Sequence, residues 1–190
     1  MHSVPIRKPT PGPCEHCGGR LQTRTLPEYR DPVLGIPGAV LIDAVEETRC
    51  GKCGKRHSII IPDLEGLIRV AAVTRVKHPL KLSGTDIRFL RSAMDWTAKM
   101  LADRISVRKE SVSRWENDRE VISETTEKLL RMVIGVNLAA RAPGVDFDAR
   151  EIARLVIHPV RPARVTLTLR FELVKVPRRK TRTWGEAEAA

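Results

Sequence analysis

Aromatic residues are scarce in this sequence, since only 4% of its 190 residues are Phe, Trp or Tyr. The apolar fraction of 42% still suffices for folded cores. A small domain with few large side chains buries little surface, however, and tends to need a metal ion or a partner. We therefore expect one ordinary domain or two small ones, with at least one core that a ligand supports.

Long apolar runs are also missing. No segment approaches the ~20 apolar residues that a membrane-spanning helix needs. The opening segment, MHSVPIRKPTPGP, lacks the apolar centre of a secretory signal, so we expect none. These absences predict a cytoplasmic protein that does not bind membranes. In that compartment metal ligation or redox chemistry is favoured over structural disulfides for its four cysteines.

Motifs for catalysis are absent too. We find no paired carboxylates, nucleophile motif or phosphate-binding loop, and predict that the protein is not an enzyme. Positive charge, in contrast, is abundant: 34 Lys and Arg face 23 Asp and Glu, a net charge of +11. This balance favours an anionic partner, with nucleic acid first and an acidic protein or a membrane surface behind it. Residues 83–140 are nearly neutral, with 10 basic and 9 acidic side chains, so the surplus lies in the two flanks.

The cysteines occur in two copies of one local design, CEHCGGR at 14–20 and CGKCGKR at 50–56. Two residues between the cysteines let both thiolates bind one metal ion, and the following glycine permits a tight turn. Four thiolates leave no open coordination position, so we predict one structural Zn²⁺ per chain. Two disulfides or idle thiols are the alternatives, and His16 and His57 are competing ligands. The predicted metal ligands are Cys14, Cys17, Cys50 and Cys53.

Strand signals surround the cysteine motifs, and helix signals follow them. AVLIDAVEETRC and RHSIIIP are rich in β-branched residues and predict strands, whereas DLEGLIRVAAVTRVKH predicts a short helix that leads into a linker. Ser83 with Asp86 forms a variant capping box, and Thr97 caps a second helix, AKMLADRI. RKESVSRWEN predicts a third helix, and a further helix lies within 124–138.

The C-terminal region returns to strand periodicity. RVTLTLRFEL alternates strictly, so Val165–Leu173 should be a strand with one apolar face. Its partner could be a local hairpin mate in ARLVIHPV, the twin strand of a second copy, or a separate protein. We also considered that the basic run Arg178–Arg182 lies along a phosphate backbone.

These signals predict an α+β fold with an N-terminal four-cysteine zinc-binding small β domain, a central all-α helix-turn-helix domain and a C-terminal β-strand extension. The predicted boundaries are 1–13 for a flexible arm, 14–75 for the zinc-binding domain, 76–82 for a linker, 83–140 for the helix-turn-helix domain, 141–177 for the β extension and 178–190 for a basic disordered tail.

A buried seam joins the second and third predicted helices and leaves the outer face of the third free for a major groove. The seam consists of Leu101, Ile105, Val107, Val112 and Trp115. This stretch resembles the lambda-repressor-like (Cro/C1, XRE-type) helix-turn-helix, whose pattern reads here Thr97, Ala98, Leu101, Ala102, Val107, Ser113, Arg114, Trp115, Glu116, Asn117.

Three positions depart from that family pattern. Ala98 replaces a Gln, and Ser106 replaces the usual turn glycine, which is tolerable if its φ angle is negative. Arg108 stands where a Ser commonly caps the third helix. We expect Trp115 and Glu116 to be core and scaffold. The predicted DNA-binding residues are Thr97, Lys99, Arg108, Lys109, Glu110, Ser111, Ser113 and Arg114.

The paired cysteine motifs followed by this helix-turn-helix resemble, over residues 14–138, the MqsA/YgiT-type zinc-finger antitoxins. The resemblance implies a zinc domain that binds a ribonuclease toxin, and a homodimer that represses its own operon through a palindromic operator. The family's two base-reading positions correspond to Glu110 and Arg114, which would bind cytosine N4 and guanine O6/N7. The alternative is a stand-alone zinc-containing regulator, or an interaction adaptor, with no toxin partner.

Overall fold

The computed structural model describes residues 12–30, 35–159, 165–176 and 179–187. Within them lie five strands and six helices, which confirms the predicted α+β class. They are β1 Leu21–Tyr29, β2 Ala39–Cys50, β3 Arg56–Ile60, α1 Leu64–Lys77, α2 Gly84–Ser92, α3 Ala98–Arg104, α4 Lys109–Glu116, α5 Glu124–Ala139, α6 Ala149–Arg154, β4 Leu167–Val176 and β5 Arg179–Glu186. Most of the predicted N-terminal arm lies outside these residues.

The long strand β2 organises the sheet. β1 pairs with it antiparallel along one edge. The other edge is divided, because β3 pairs antiparallel with residues 46–49 while β4 runs parallel to residues 39–42. Asp43 lies where the partner changes, and its φ angle is 50°. The strands predicted from AVLIDAVEETRC and RHSIIIP are both present, at the predicted place.

Within the described residues, the C-terminal strand does not form the local hairpin with ARLVIHPV that was one of its three possible partners. β4 pairs with β2 and, antiparallel, with β5. The described part of ARLVIHPV instead forms the end of α6 and a loop that bridges Leu80 through His158. A parallel partner more than 120 residues away leaves no signature in the local alternation of the strand. The partner of β4 is therefore determined by tertiary packing and not by the local sequence of the strand.

The prediction of a disordered tail at 178–190 was also wrong, because residues 179–186 form β5. The anchor is Trp184, which is fully buried and packs against Phe171 with ring centroids 5.4 Å apart. Its indole Nε1 donates to the carbonyl oxygens of Pro62 and Asp63, at 2.9 and 3.1 Å. One aromatic side chain with a satisfied N–H therefore fixes a strand whose Lys180 and Arg182 remain exposed.

Helix α1 joins the sheet to the helical region. Its apolar side chains, among them Leu67, Val70 and Val73, are fully buried in the common core. The predicted linker 76–82 is not a free connection. Its first two residues belong to α1, and Lys81 donates its backbone N–H to the carbonyl oxygen of His158 at 2.9 Å. None of the described helices is both long and apolar enough to cross a membrane.

Two buried guanidinium groups hold this junction. Arg75 forms two 2.9 Å hydrogen bonds to the carboxylate of Asp86 in α2, and Arg131 binds Glu127 within α5 at 2.7 Å. Their remaining N–H groups donate to backbone carbonyls of residues 76, 78, 80 and 81. Burial alone would raise the pKa of Asp86, but the Arg75 guanidinium lowers it below its usual value. Both arginines are fully buried, and they stabilise the junction between α1 and the helices that follow it.

The helix caps follow the sequence prediction closely. Ser83 and Asp86 form a complete capping box on α2, and the Thr97 hydroxyl accepts from the backbone N–H of Met100. Arg108 makes no side-chain cap hydrogen bond, so α4 begins without one. The condition under which Ser106 would be tolerable, a negative φ angle, is not met. Its φ angle is +56°, in the left-handed region that the turn demands and that glycine adopts without strain.

This positive φ angle predicts the effect of Ser106→Gly. Removing Cβ should relieve the left-handed strain and raise the free energy of unfolding by about 0.5–1 kcal/mol, as urea denaturation would measure. Ser113→Gly is the matched control, since Ser113 is exposed inside α4 and should lose about as much stability. Equal destabilisation by both substitutions would contradict the strain argument.

Candidate metal centre and nucleic-acid interface

The two cysteine motifs meet because of strand pairing. β2 ends at Cys50, and Leu21 at the start of β1 lies opposite it, so the loops that follow and precede these strands are neighbours. The sulfur atoms of all four cysteines lie within 4.8 Å of one another. Two of the Sγ separations are 3.8 Å, Cys14 to Cys53, and 3.4 Å, Cys17 to Cys50.

The Sγ separations fit a metal ion bound tetrahedrally by four thiolates. With Zn–S bonds of about 2.3 Å, the sulfur atoms of such a site are about 3.8 Å apart. Cys14 and Cys50 are buried, whereas Cys53 is exposed. The cluster can therefore hold a metal ion at the sheet end, with one ligand at the surface.

The glycines of the motifs shape both turns around the sulfurs. Gly18 and Gly54 have φ angles of 68° and 71°, as the prediction of tight turns requires. The sequence analysis missed Gly19, where an added Cβ would lie 2.9 Å from the sulfur of Cys50. The two consecutive glycines in CEHCGGR were the sequence signal that could have identified Gly19. Position 19 therefore has no room for a side chain beside the sulfur of Cys50.

The thiols differ in proton affinity. Backbone N–H groups of Cys53 and Lys52 approach the sulfur of Cys50 at 3.5 and 3.4 Å and lower the pKa of that thiol to about 6. The backbone N–H of Gly19 lowers the pKa of Cys17, but hydrogen bonds to the neighbouring thiols raise it to about 12. The sulfur of Cys50 is thus ready as a thiolate, whereas a metal ion must displace a proton from Cys17.

The two histidines near the motifs do not join the sulfur cluster. His57 Nε2 lies 3.2 Å from the sulfur of Cys14, where its N–H can support a thiolate. His16 is exposed in the first turn, and the group of metal-ligating side chains found in the described residues contains neither histidine. A site built from the four cysteines therefore needs no imidazole.

The predicted seam of the helix-turn-helix is present. Leu101, Ile105, Val112 and Trp115 are buried, and Val107 is half-buried against the same core. Because these side chains occupy the inner faces of α3 and α4, the polar residues of α4 are turned outward.

Glu116 connects this pair of helices to α2. Its buried carboxylate accepts from Arg91 at 2.5 and 3.2 Å, and its carbonyl oxygen accepts from Arg88 at 2.9 Å. This agrees with the expected scaffold role of Glu116. The sequence analysis missed its partner Arg91, because a helical pattern does not say which distant carboxylate a basic side chain will reach.

The residues predicted to bind DNA share one property, which is access to solvent. Seven of them are exposed, and one, Ser111, is half-buried. The exposed ones are Thr97, Lys99, Arg108, Lys109, Glu110, Ser113 and Arg114. The hydroxyl of Thr97 also serves as the α3 cap, so its side-chain orientation is already fixed.

Arg114 has a partner that the sequence analysis missed. Its Nη1 atom donates to Oε2 of Glu120 at 3.0 Å, and both side chains are about half exposed. An exposed pair of this kind contributes about 0–1 kcal/mol and opens readily. Arg114 is therefore held near one orientation but remains available to a ligand.

Residues 87–141 match a protein-family model described as helix-turn-helix, and α3 and α4 lie inside the match. No curated protein and no solved structure matches the chain. The match agrees with the buried seam and with the exposed outer face of α4. Residues 87–141 therefore form a helix-turn-helix domain, which supports a role as a DNA-binding transcription regulator.

Proposed function

We propose that the protein is a homodimeric, sequence-specific transcription regulator that inserts α4 into the major groove of a palindromic operator. The observation that carries this proposal is the α3–α4 pair, whose apolar face is buried while its polar face is exposed within the matched helix-turn-helix. Such domains read two half-sites about one helical turn (~34 Å) apart, which requires two copies of the chain.

The proposed roles follow from side-chain chemistry. Arg114 presents a guanidinium fork that fits guanine O6 and N7, and Glu110, one helical turn earlier, would accept from cytosine N4. The remaining residues would bind phosphate oxygens and fix the register of α4 on the duplex. They are Thr97, Lys99, Arg108, Lys109, Ser111 and Ser113.

For the cysteine cluster we propose structural Zn²⁺, one ion per chain. The support is the sulfur spacing, which suits this ion, together with four soft ligands that leave no coordination position for a substrate. His57 would orient the Cys14 thiolate. The ion would hold together the end of a sheet that has few large apolar side chains there.

We further propose that the regulator is an antitoxin that represses its own operon and binds a ribonuclease-type toxin. The support is the resemblance to the MqsA/YgiT type, with paired cysteine motifs ahead of the helix-turn-helix. Copurification with the product of an adjacent toxin-like reading frame tests this role. An isolated gene would favour the alternative, a stand-alone zinc-containing regulator or adaptor with no toxin partner.

Two substitutions on α4 test the DNA-reading face. Arg114→Ala should cost about 1–3 kcal/mol of binding free energy and relax selectivity at one base pair of each half-site. Lys109→Ala should weaken binding to every sequence alike and reduce the salt dependence by about one phosphate contact. Fluorescence anisotropy on operator and single-mismatch duplexes measures both effects. Indistinguishable behaviour of the two variants would show that the face is assigned wrongly.

A further inference from the structure

Four exposed cations surround the cysteine cluster, and we name them the knuckle surface: Arg20, Lys52, Lys55 and Arg56. They are close together because Gly51 donates its backbone N–H to the carbonyl oxygen of Arg20 at 3.0 Å, and Arg56 pairs across the sheet with Arg49. Within the described part of the chain, none of the four forms an ion pair with a carboxylate.

Three other cations on β1, on β2 and just after β1 have acidic partners. Arg24 and Arg49 both bind the buried carboxylate of Glu47, at 3.1 and 2.7 Å. Arg30 binds Glu28 at 2.5 Å. The knuckle surface therefore differs from these three cations, because no carboxylate of the described residues neutralises its side chains.

The charge balance of this end stays positive even with a metal ion bound. The segments 14–24 and 47–57 together hold six Arg and Lys against Glu15 and Glu47. A tetrathiolate zinc centre adds a net charge of two negative units, which leaves an excess of positive charge.

The helix-turn-helix domain has little net positive charge with which to attract DNA phosphates. Neutralisation of phosphates supplies most of the sequence-independent free energy of binding. Residues 83–140 have 10 basic and 9 acidic side chains, whereas residues 1–82 have 13 and 8. The sheet is also joined to the helical region, since β3 leads directly into α1 and the buried Arg75–Asp86 pair links α1 to α2.

We propose that the knuckle surface is a second DNA contact, which binds backbone phosphates of the duplex that α4 reads. It adds affinity without selecting a sequence, because its ligands would be phosphate oxygens only. The inference rests on the proposed DNA binding, and it assigns the N-terminal sheet a direct part in that binding. A charged surface that binds an acidic protein is the competing occupant, and the following test separates the two.

The test compares Lys52→Gln/Lys55→Gln with the matched control Arg141→Gln/Arg154→Gln. All four side chains are exposed, none is a cysteine ligand, and both variants remove the same formal charge. Fluorescence anisotropy with a random-sequence duplex of about 30 base pairs, at 50 to 200 mM salt, gives the slope of log K against log salt. We expect that slope to fall by about two units in the knuckle variant and to stay unchanged in the control.

Several outcomes would overturn the inference. An unchanged slope in the knuckle variant, or the same loss in both variants, would leave the surface without a role in DNA binding. Failure of the unsubstituted protein to bind any duplex would remove the proposed function as well. The proposed function alone would survive if Arg114→Ala relaxed operator selectivity while the knuckle variant kept the slope of the unsubstituted protein. Circular dichroism of each variant establishes that the fold is retained.

Discussion

Arg131→Met should reduce the free energy of unfolding by about 3–5 kcal/mol, the largest loss we expect from a single substitution that leaves the cysteines intact. The substitution removes a fully buried guanidinium and leaves the carboxylate of Glu127, which is also fully buried, without its closest partner. It also leaves backbone carbonyls of Val76, His78 and Leu80 short of a donor. Urea denaturation followed by circular dichroism measures the loss.

Two further variants make this prediction specific. Arg150→Met removes an exposed ion pair with Asp148 and should change the free energy of unfolding by less than about 0.5 kcal/mol. Adding Glu127→Gln to Arg131→Met should recover part of the loss, because no buried charge is then left unpaired. A loss below about 1 kcal/mol for Arg131→Met would mean that the junction does not depend on this pair.

Removal of the proposed zinc ion should have the second large effect. Binding of zinc to small Cys-rich modules contributes about 10–16 kcal/mol, so a chelator should unfold the end of the sheet that holds Cys14 and Cys50. Hydrogen exchange should show lost protection in β1, the second half of β2, and β3. Helices α2 to α5 should keep theirs, since the apolar core that includes Leu101, Leu130 and Ile134 contains none of the four cysteines.

The structure changes the residue at which this unfolding should end. The sequence analysis placed the end of the zinc-binding domain at residue 75, but α1 packs against α5 and its Arg75 binds Asp86. We therefore expect protection to begin near residue 64, where α1 starts. Metal analysis should find one Zn per chain, and Cys50→Ser should abolish binding while His16→Ala should not. Two disulfides without metal in reduced protein would contradict the site.

Local signals predicted the helical region well. Caps such as Ser83 and Thr97 act within three residues of themselves, and the spacing of Val112 and Trp115 defines a helix face, so a sequence reveals both. The cysteine cluster could also be predicted from the sequence, because two thiolates that bind one metal ion must have a short, fixed spacing along the chain.

Long-range choices were not predictable in the same way. The parallel pairing of β4 with β2, and the burial of Trp184 under Pro62, join residues more than 120 positions apart. The basic segment that contains Trp184 has the composition of a solvated tail. It forms a strand because the indole of Trp184 is buried in the core and hydrogen-bonded to Pro62. The ion pair between Arg114 and Glu120 depends in the same way on how the loop after α4 turns.

The central claim, that α4 reads an operator, is tested most directly by a gel-shift titration with the DNA upstream of the protein's own gene. The unsubstituted protein should shift this fragment in the presence of excess random competitor DNA, and should bind it at least about 10³-fold more tightly than the competitor. Arg114→Ala should lose most of that preference. Equal affinity for the upstream fragment and for random DNA, with no effect of Arg114→Ala, would contradict the account.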